Sequence, residues 1–514
     1  MRQWMVAAKK ADFYAIAEKF HVDPVVARII RNREVIGEKN IRIYLGGNLS
    51  DLSDPHQMKD MDRLVEILAQ KIRKQVHIRI IGDYDVDGVT SSHLFLTALR
   101  RVGAKVDVVI PHRIQDGYGL SLHLLQQAKE DGVDTILTCD NGIAAIDEIA
   151  WAKAQKMTVL VTDHHAVPFE EHEGRRTEKK SLADAVVNPH QQDCGYPYKE
   201  LCGAGVAWNV IRVLYENYDM DKREAEDLLD FVAMATVCDV MSLTGENRIL
   251  VKEGLKRIRH TKNIGLQALM QACNVQPENI SAYHFGYVLG PCVNATGRLD
   301  TARHALRLFE TGQETEAEEI ARDLVDLNQE RKELTLQGVE MAKKLCEEGG
   351  YENDPVLVLF LPDVHESIAG LIAGRIREMY NRPVFVLTRG EEGVKGSGRS
   401  TENYSMYENM CGCAELFTKF GGHPMAAGLS LPEENVEKFR RKINENCPLT
   451  VEEVCPDIHI DMAMPVGYAS TELVHQFALL EPFGKDNPSP LFADRNLSIS
   501  RMLSLIHISE PTRH

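Results

Sequence analysis

From Gln75 onward the chain alternates short β-branched runs with helical patterns, and this rhythm restricts the fold more than any other feature. The runs fall at 76–81, 106–110, 135–139, 158–162 and 185–187, with helical patterns at 91–102 and 144–156. Strand, helix, strand in this order requires crossover connections and gives a mostly parallel sheet. Such sheets bind their ligands just beyond the carboxyl ends of the strands. The residues that follow each run therefore carry the functional information.

The expected fold class is α/β, in several parts. The chain has 514 residues and exceeds one ordinary domain. A prior of roughly one domain per ~150 residues suggests about three. Residues 1–75 read as a helical lead-in, and 76–250 as the parallel-sheet domain. Within the latter, 225–237 is apolar almost all round and reads as one buried helix. Residues 251–350 form a helical connector. In it Ile320, Leu324, Leu327, Leu334, Met341 and Leu345 recur at helical steps, predicting a long helix over 314–348 that spans between domains. Strand patterns resume at 356–360 and 383–387 around a helix at 368–380, which makes 351–450 a smaller α/β domain. A third segment occupies 456–502. The stretch 503–514 resembles translated sequencing-adaptor read-through more than native protein, and the natural protein is expected to be longer.

Composition excludes several classes. With 44% hydrophobic and 26% charged residues, the chain has material for sizeable cores and is not a disordered polymer. No run approaches the ~18 apolar residues of a membrane span, and the start of the chain lacks a signal peptide's apolar stretch. The expectation is a cytoplasmic protein with no membrane association. Eleven cysteines, an odd count without C-x-x-C spacing, argue against zinc and disulfides. Cys411 and Cys413 are expected to be buried thiols. A formal charge of -17 does not by itself propose nucleic acid as partner. A few cations and metal ions lining one groove can still hold a phosphate polymer.

Three of the runs end in acids or imidazoles. The first is followed by Gly82-Asp83-Tyr84-Asp85-Val86-Asp87-Gly88, the third by Asp140-Asn141-Gly142, and the fourth by Asp163-His164-His165. Alternate aspartates before a glycine also open a calcium-binding EF-hand loop. That reading fails, because its twelfth position would be Leu94 where a bidentate Glu is needed, and a strand precedes it where a helix should. One Asp at a strand end is usually a helix cap, and one His is usually structural. Three strands delivering such groups to one edge describe a metal site. Asp239, at the end of the apolar helix, meets the negative end of the helix dipole, which costs ~0.3–1 kcal/mol unless a cation offsets it. Carboxylates with one or two imidazoles and no thiolate suit Mn²⁺ or Mg²⁺. Five or more ligands exceed the needs of one ion, and two ions ~3.5–4 Å apart serve in-line phosphoryl displacement. The chemistry implied is phosphoester hydrolysis.

These motifs, in this order, resemble those of the DHH phosphoesterases, and the wider chain is similar to the family's bacterial exonucleases specific for single strands. The resemblance implies Asp83, Asp85, Asp87, Asp140, His164 and Asp239 as metal ligands. It gives His165, with Asp163 and Asp87, catalytic roles beside the metals, with an activated water rather than a side chain as nucleophile. It also implies substrate contacts from Asn294 and Arg298 in Asn294-Ala295-Thr296-Gly297-Arg298, and from the smaller domain's Ser397, Arg399, Ser400, Gly421, Gly422 and His423. Without the family, 294–298 would read as an ordinary glycine turn with an exposed Arg. Residues 480–488 resemble the start of an oligonucleotide-binding β-barrel, here cut short. The implied activity is 5′-to-3′ digestion of single-stranded DNA in repair and recombination, with two Mn²⁺ or Mg²⁺ ions. A single-strand-binding protein and a helicase are the family's expected partners. Two other readings stand beside it: a phosphodiesterase for short oligonucleotides or cyclic dinucleotides, and an inactive DNA-binding scaffold.

Overall fold

The computed structural model describes residues 4–113, 116, 119–172, 175–390, 393–455 and 457–498. The stretch 503–514 lies outside them. The described residues divide into two units.

The larger unit runs from Lys39 to Pro456 and takes in Pro482–Pro488. Its first part contains α1 (Met61–Arg73), β1 (Ile78–Ile81), α2 (Val86–Arg101), β2 (Val106–Val109), α3 (Leu122–Glu130), β3 (Thr135–Cys139), α4 (Ile146–Ala154), β4 (Thr158–Thr162) and β5 (Ala185–Val187). The five strands form one parallel sheet in the order β2-β1-β3-β4-β5. Strands β1 and β3 are buried at every residue, as their near-continuous apolar sequence requires. The one charged residue of β1, Arg79, is buried with a two-pronged contact to Asp107 at 3.0 and 2.7 Å and a third bond to Asp131 at 2.8 Å. The strand order reverses direction between β1 and β3, which opens a crevice at their carboxyl ends.

Two helices differ from expectation. The pattern predicts a helix from 91, yet α2 starts at Val86 with Asp85 as its N-cap, accepting from the Gly88 N–H at 3.1 Å. The aspartates of the first motif thus also start a helix. The apolar stretch 225–237 is broken into Arg223–Glu226 and α6 (Leu229–Cys238), which follow α5 (Gly203–Asn217). Helix α6 is buried along nearly all its length, as its composition predicts. Downstream come α7 (Gly290–Leu299) and the 35-residue α8 (Glu314–Glu348), which has the predicted bounds.

The smaller sheet follows: β6 (Leu357–Phe360), α9 (Glu366–Tyr380), β7 (Val384–Gly390), β8 (Gly393–Arg399), β9 (Lys419–His423) and β10 (Ala426–Leu431), in the order β9-β10-β8-β7-β6. Only β6 and β7 run parallel. Gly396 and Gly398 lie within strand β8 and have packing roles. A Cβ on Gly396 would stand 2.4 Å from the Leu387 side chain, and one on Gly398 would stand 2.3 Å from Met406 Sδ. Packing against these neighbours is what keeps both positions as glycine. Cys413 is buried but Cys411 is exposed, contrary to expectation, because it ends a short surface helix at Met406–Cys411.

The second unit combines residues 4–38 with 457–481 and 489–498. The lead-in, expected to be helical, opens on a strand, Trp4–Val6, paired in parallel with Ile458–Ile460. Arg33 grips Asp461 with bonds of 2.6 and 2.9 Å, and both side chains are buried. Such a planar fork on a carboxylate pairs both charges where water is scarce.

Candidate metal centre and phosphate cleft

The carboxylates predicted from three strand ends meet at the crevice between β1 and β3. Asp83, Asp85 and Asp140 bring one oxygen each within 4.8 Å of one another. Asp87, His164 and Asp239 bring their ligand atoms equally close, and Asp140 with His164 and His165 links the two sets. His164 Nε2 lies 3.0 Å from Asp140 Oδ1 and 3.6 Å from both Asp87 Oδ2 and Asp239 Oδ2. Asp239 arrives from elsewhere in the fold, as the C-cap of α6. Asp140 has a left-handed backbone, with φ 62. A non-glycine residue rarely adopts that conformation, and such residues concentrate at functional sites.

The electrostatics of this cluster are frustrated. Burial, then the neighbouring carboxylates, push Asp83, Asp140 and Asp239 well above the usual carboxylate range. Asp83 Oδ1, His164 Nε2 and Asp239 Oδ2 are buried without a hydrogen bond of proper geometry among the described residues. Burial lowers the pKa of His164, which keeps its ring neutral. Unsatisfied oxygens and a neutral imidazole converging on one hollow are what hard divalent cations require, and such ions would supply the missing positive charge. Cys139 lies behind the cluster, but burial raises its thiol to about 12, so it stays protonated and a poor ligand.

Asp163 has a different task. It is 1% exposed and accepts the backbone N–H of Ile143 at 2.9 Å, of His164 at 2.7 Å and of His165 at 3.1 Å. The His165 ring donates to it through Nδ1 at 2.8 Å. Asp163 therefore positions His165 beside the cluster. Burial works to lower the His165 pKa, but the Asp163 bond and the surrounding carboxylates outweigh it and raise it to about 9.

Asp87 is held by a feature absent from the sequence reading. The first N–H groups of α5 donate to both its oxygens, Gly203 at 2.6 Å and Ala204 at 2.8 Å. A helix N-terminus thus orients this carboxylate. A Cβ on Gly203 would stand 2.7 Å from Asp140 Cβ and 3.0 Å from Asp87 Oδ2. The available signal is Gly203-Ala204-Gly205, small residues opening an apolar helical run.

A cationic cleft lies one residue from Asp83. Tyr84, Arg113, Ser367, Lys395, Ser397 and Lys419 contribute to a cavity of about 430 Å³, together with Glu366, which pairs with Lys395 at 2.8 Å. Arg298 lies on α7 rather than in a turn, and its Nη1 donates to the Ser367 carbonyl at 2.6 Å. Burial, then the nearby charges of Arg113, Arg331 and Arg399, lower Arg298 to about 10. Arg399 Nη1 reaches Ser397 Oγ at 3.3 Å and the Gly398 carbonyl at 2.7 Å. Of these arginines only Arg113 lines the cavity; Arg298 and Arg399 do not. Asn294 accepts the Val86 N–H at 3.2 Å and so ties α7 to the start of α2. Gly421 lines the cavity. Gly422 and His423 do not, and the Ser400 hydroxyl is buried and donates to the Tyr404 carbonyl at 2.6 Å, so the structure does not bring it into the cleft. Arg113 follows β2 without any motif, and no sequence signal marks it.

Comparison with known proteins defines the class. Family profiles match in chain order: the DHH family N-terminal domain at 77–236, the DHHA1 domain at 353–447 and the RecJ OB domain at 460–507. The chain is 33% identical over 480 residues to the single-stranded-DNA-specific exonuclease RecJ of Bacillus subtilis, covering 93% of this chain and 59% of that protein. It is 36% identical to the RecJ of Haemophilus influenzae, over 82% of this chain and 74% of that one. The crystal structure of RecJ from Thermus thermophilus in complex with Mn²⁺ superposes with a TM-score of 0.81 at 28% identity, covering 95% of this chain and 69% of that chain. This chain belongs to the RecJ family of DHH proteins.

Proposed function

We propose that the chain hydrolyses single-stranded DNA from its 5′ end, releasing nucleotides, with two Mn²⁺ or Mg²⁺ ions held by Asp83, Asp85, Asp87, Asp140, His164 and Asp239. The observation that carries this is the pair of linked ligand sets placed beside a cationic cleft. Divalent ions bound there would activate a water and neutralise charge on the reacting phosphate. His165, charged and held by Asp163, is suited to contact the scissile phosphate. Arg298, Arg399, Arg113 and Ser397 are suited to hold a terminal phosphate, which carries more charge than an internal one. The relatives' names supply the substrate class. No helix among the described residues is long and apolar enough to cross a membrane.

The test is digestion of end-labelled strands with Mn²⁺. A 5′-phosphorylated single strand should shorten from its 5′ end, faster than a 5′-hydroxyl strand and far faster than duplex. Asp140→Ala and His164→Ala should abolish this. Equal digestion by those variants refutes the assignment. Preference for dinucleotides over long strands would instead favour the small-substrate reading.

A further inference from the structure

Away from the metal centre and the cleft, two cysteines meet where three helices converge. Cys273 caps the C-terminal end of the helix Ile264–Ala272, Cys292 lies in the first turn of α7, and their sulfurs are 3.8 Å apart. Cys292 is buried, whereas Cys273 is only half-buried.

The sulfur of Cys292 has two further partners. Asn328 of α8, itself buried, donates to it through Nδ2 at 3.4 Å, and the Val288 carbonyl stands 3.3 Å away as an acceptor for its S–H. Val288 belongs to a π-helical turn, Phe285–Leu289, that runs directly into α7. One turn past Asn328, Lys332 carries a positive charge that acts on both sulfurs.

A partly exposed thiol near a cation is the setting of a reactive cysteine, because the thiolate is the nucleophile. The bond from Cys292 holds the Cys273 thiol below its ordinary value; burial opposes this and Lys332 adds to it. Cys292 is raised by the same bond and by its burial. The two sulfurs therefore have distinct parts: Cys273 meets an oxidant first, and Cys292 stands behind it.

We propose that Cys273 and Cys292 are a redox pair, which hydrogen peroxide converts to a reversible disulfide that displaces α7. In the first step the Cys273 sulfur attacks the peroxide. An S–O bond forms, the O–O bond breaks, and the departing hydroxide takes up the thiol's proton as water, leaving a sulfenic acid. In the second step the Cys292 sulfur attacks that of Cys273. The S–S bond forms, the S–O bond breaks, and the hydroxyl leaves as water with the Cys292 proton. The two thiols together lose two electrons, and the peroxide gains them.

Closing the sulfurs from 3.8 Å to a bond of ~2.05 Å draws the start of α7 toward the neighbouring helix end. It also removes the S–H that faces the Val288 carbonyl. Asn294 and Arg298 follow on the same helix, bonded to the Val86 N–H and the Ser367 carbonyl. Their displacement should weaken strand binding, a consequence that rests on the strand-hydrolysing reading; formation of the disulfide does not.

The test treats the reduced full chain with hydrogen peroxide, removes the peroxide, and maps the thiols by alkylation and peptide mass spectrometry. A linked pair of peptides holding Cys273 and Cys292, lighter by two hydrogens than the reduced pair, should appear and should vanish with dithiothreitol. With Mn²⁺, KM for a 5′-phosphorylated strand should rise about fivefold on oxidation, the effect of one lost hydrogen bond, and return on reduction. Cys273→Ser should keep the reduced enzyme's KM and lose the response to peroxide. Cys292→Ser should form no link and leave Cys273 as a sulfenic acid that dimedone captures. Absence of the linked peptides overturns the proposal, as does a full peroxide response in Cys273→Ser, or an unchanged KM in the linked enzyme. If reduced wild type digests no strand, the hydrolase reading fails, while the mass spectrum still decides whether the pair closes.

Discussion

The two five-stranded sheets of the larger unit present their functional groups in opposite ways. The parallel sheet delivers its carboxylates at strand ends, in the crevice where β1 and β3 diverge, and leaves Asp83 and Asp140 buried among like charges. The mixed sheet places Lys395, Ser397 and Arg399 within a strand, on its face, where each has a neighbour: Lys395 with Glu366, and Ser397 with Arg399. The first arrangement stores electrostatic stress that a cation can relieve. The second is already paired within the protein.

The largest effect expected from this contrast is at Asp140. Asp140→Asn should cost several kcal/mol of transition-state stabilisation, on the order of a thousandfold in kcat. In EDTA the same variant should melt about 2 °C or more above wild type, because one repelling charge is gone. Calorimetric melting with and without Mn²⁺ checks this, and a lower melting temperature in EDTA would break the comparison. Arg399→Ala should act on binding instead, raising KM for 5′-phosphorylated strands about 10- to 100-fold with a smaller change in kcat, as expected for a lost charge-assisted hydrogen bond.

Gly203→Ala should lower Mn²⁺ affinity by about 10- to 100-fold, since its added Cβ displaces the groups that orient Asp87 and Asp140. Isothermal titration would measure it. The pH dependence of stability should separate the two sheets as well. Asp83, Asp140 and Asp239 have folded pKa values above their unfolded ones. Their contribution to stability is therefore full below the unfolded carboxylate range and is lost as pH rises through the folded values. In EDTA the advantage of Asp140→Asn over wild type should grow from mildly acidic to neutral pH, as followed by urea midpoints at each pH. The smallest effects are in the glycines of the mixed sheet. Gly396→Ala, whose added Cβ meets Leu387 and Leu429, should destabilise by about 1–3 kcal/mol through overpacking. Gly421→Ala has nothing near its added Cβ. Its stability should stay within ~0.5 kcal/mol of wild type, as for an ordinary surface substitution.

Much of this is legible in the chain. The strands at Thr135–Cys139, Thr158–Thr162 and Ala185–Val187 and the helix Glu314–Glu348 fall where periodicity puts them, because buried parallel strands and long amphipathic helices leave strong patterns. The start of α2 escapes the pattern because Asp85 and Asp87 carry two signals at once, cap and ligand, and the ligand signal masks the cap. The break before Leu229 leaves no clear mark, since the apolar pattern runs across it. The strand at Trp4–Val6 depends on a partner near the opposite end of the chain, Ile458–Ile460, which no local pattern encodes.

The order of acids and imidazoles at strand ends is enough, by itself, to predict a metal site suited to phosphoester chemistry. Parallel strands must carry their loops to one edge, so the residues there are forced together whatever lies between. Only the tertiary structure decided what surrounds them: the N-terminus of α5 on Asp87, Arg113 beside Tyr84, and the inward turn of Ser400. Those depend on which helix packs against which loop, and such contacts are set by shape and burial across the whole fold.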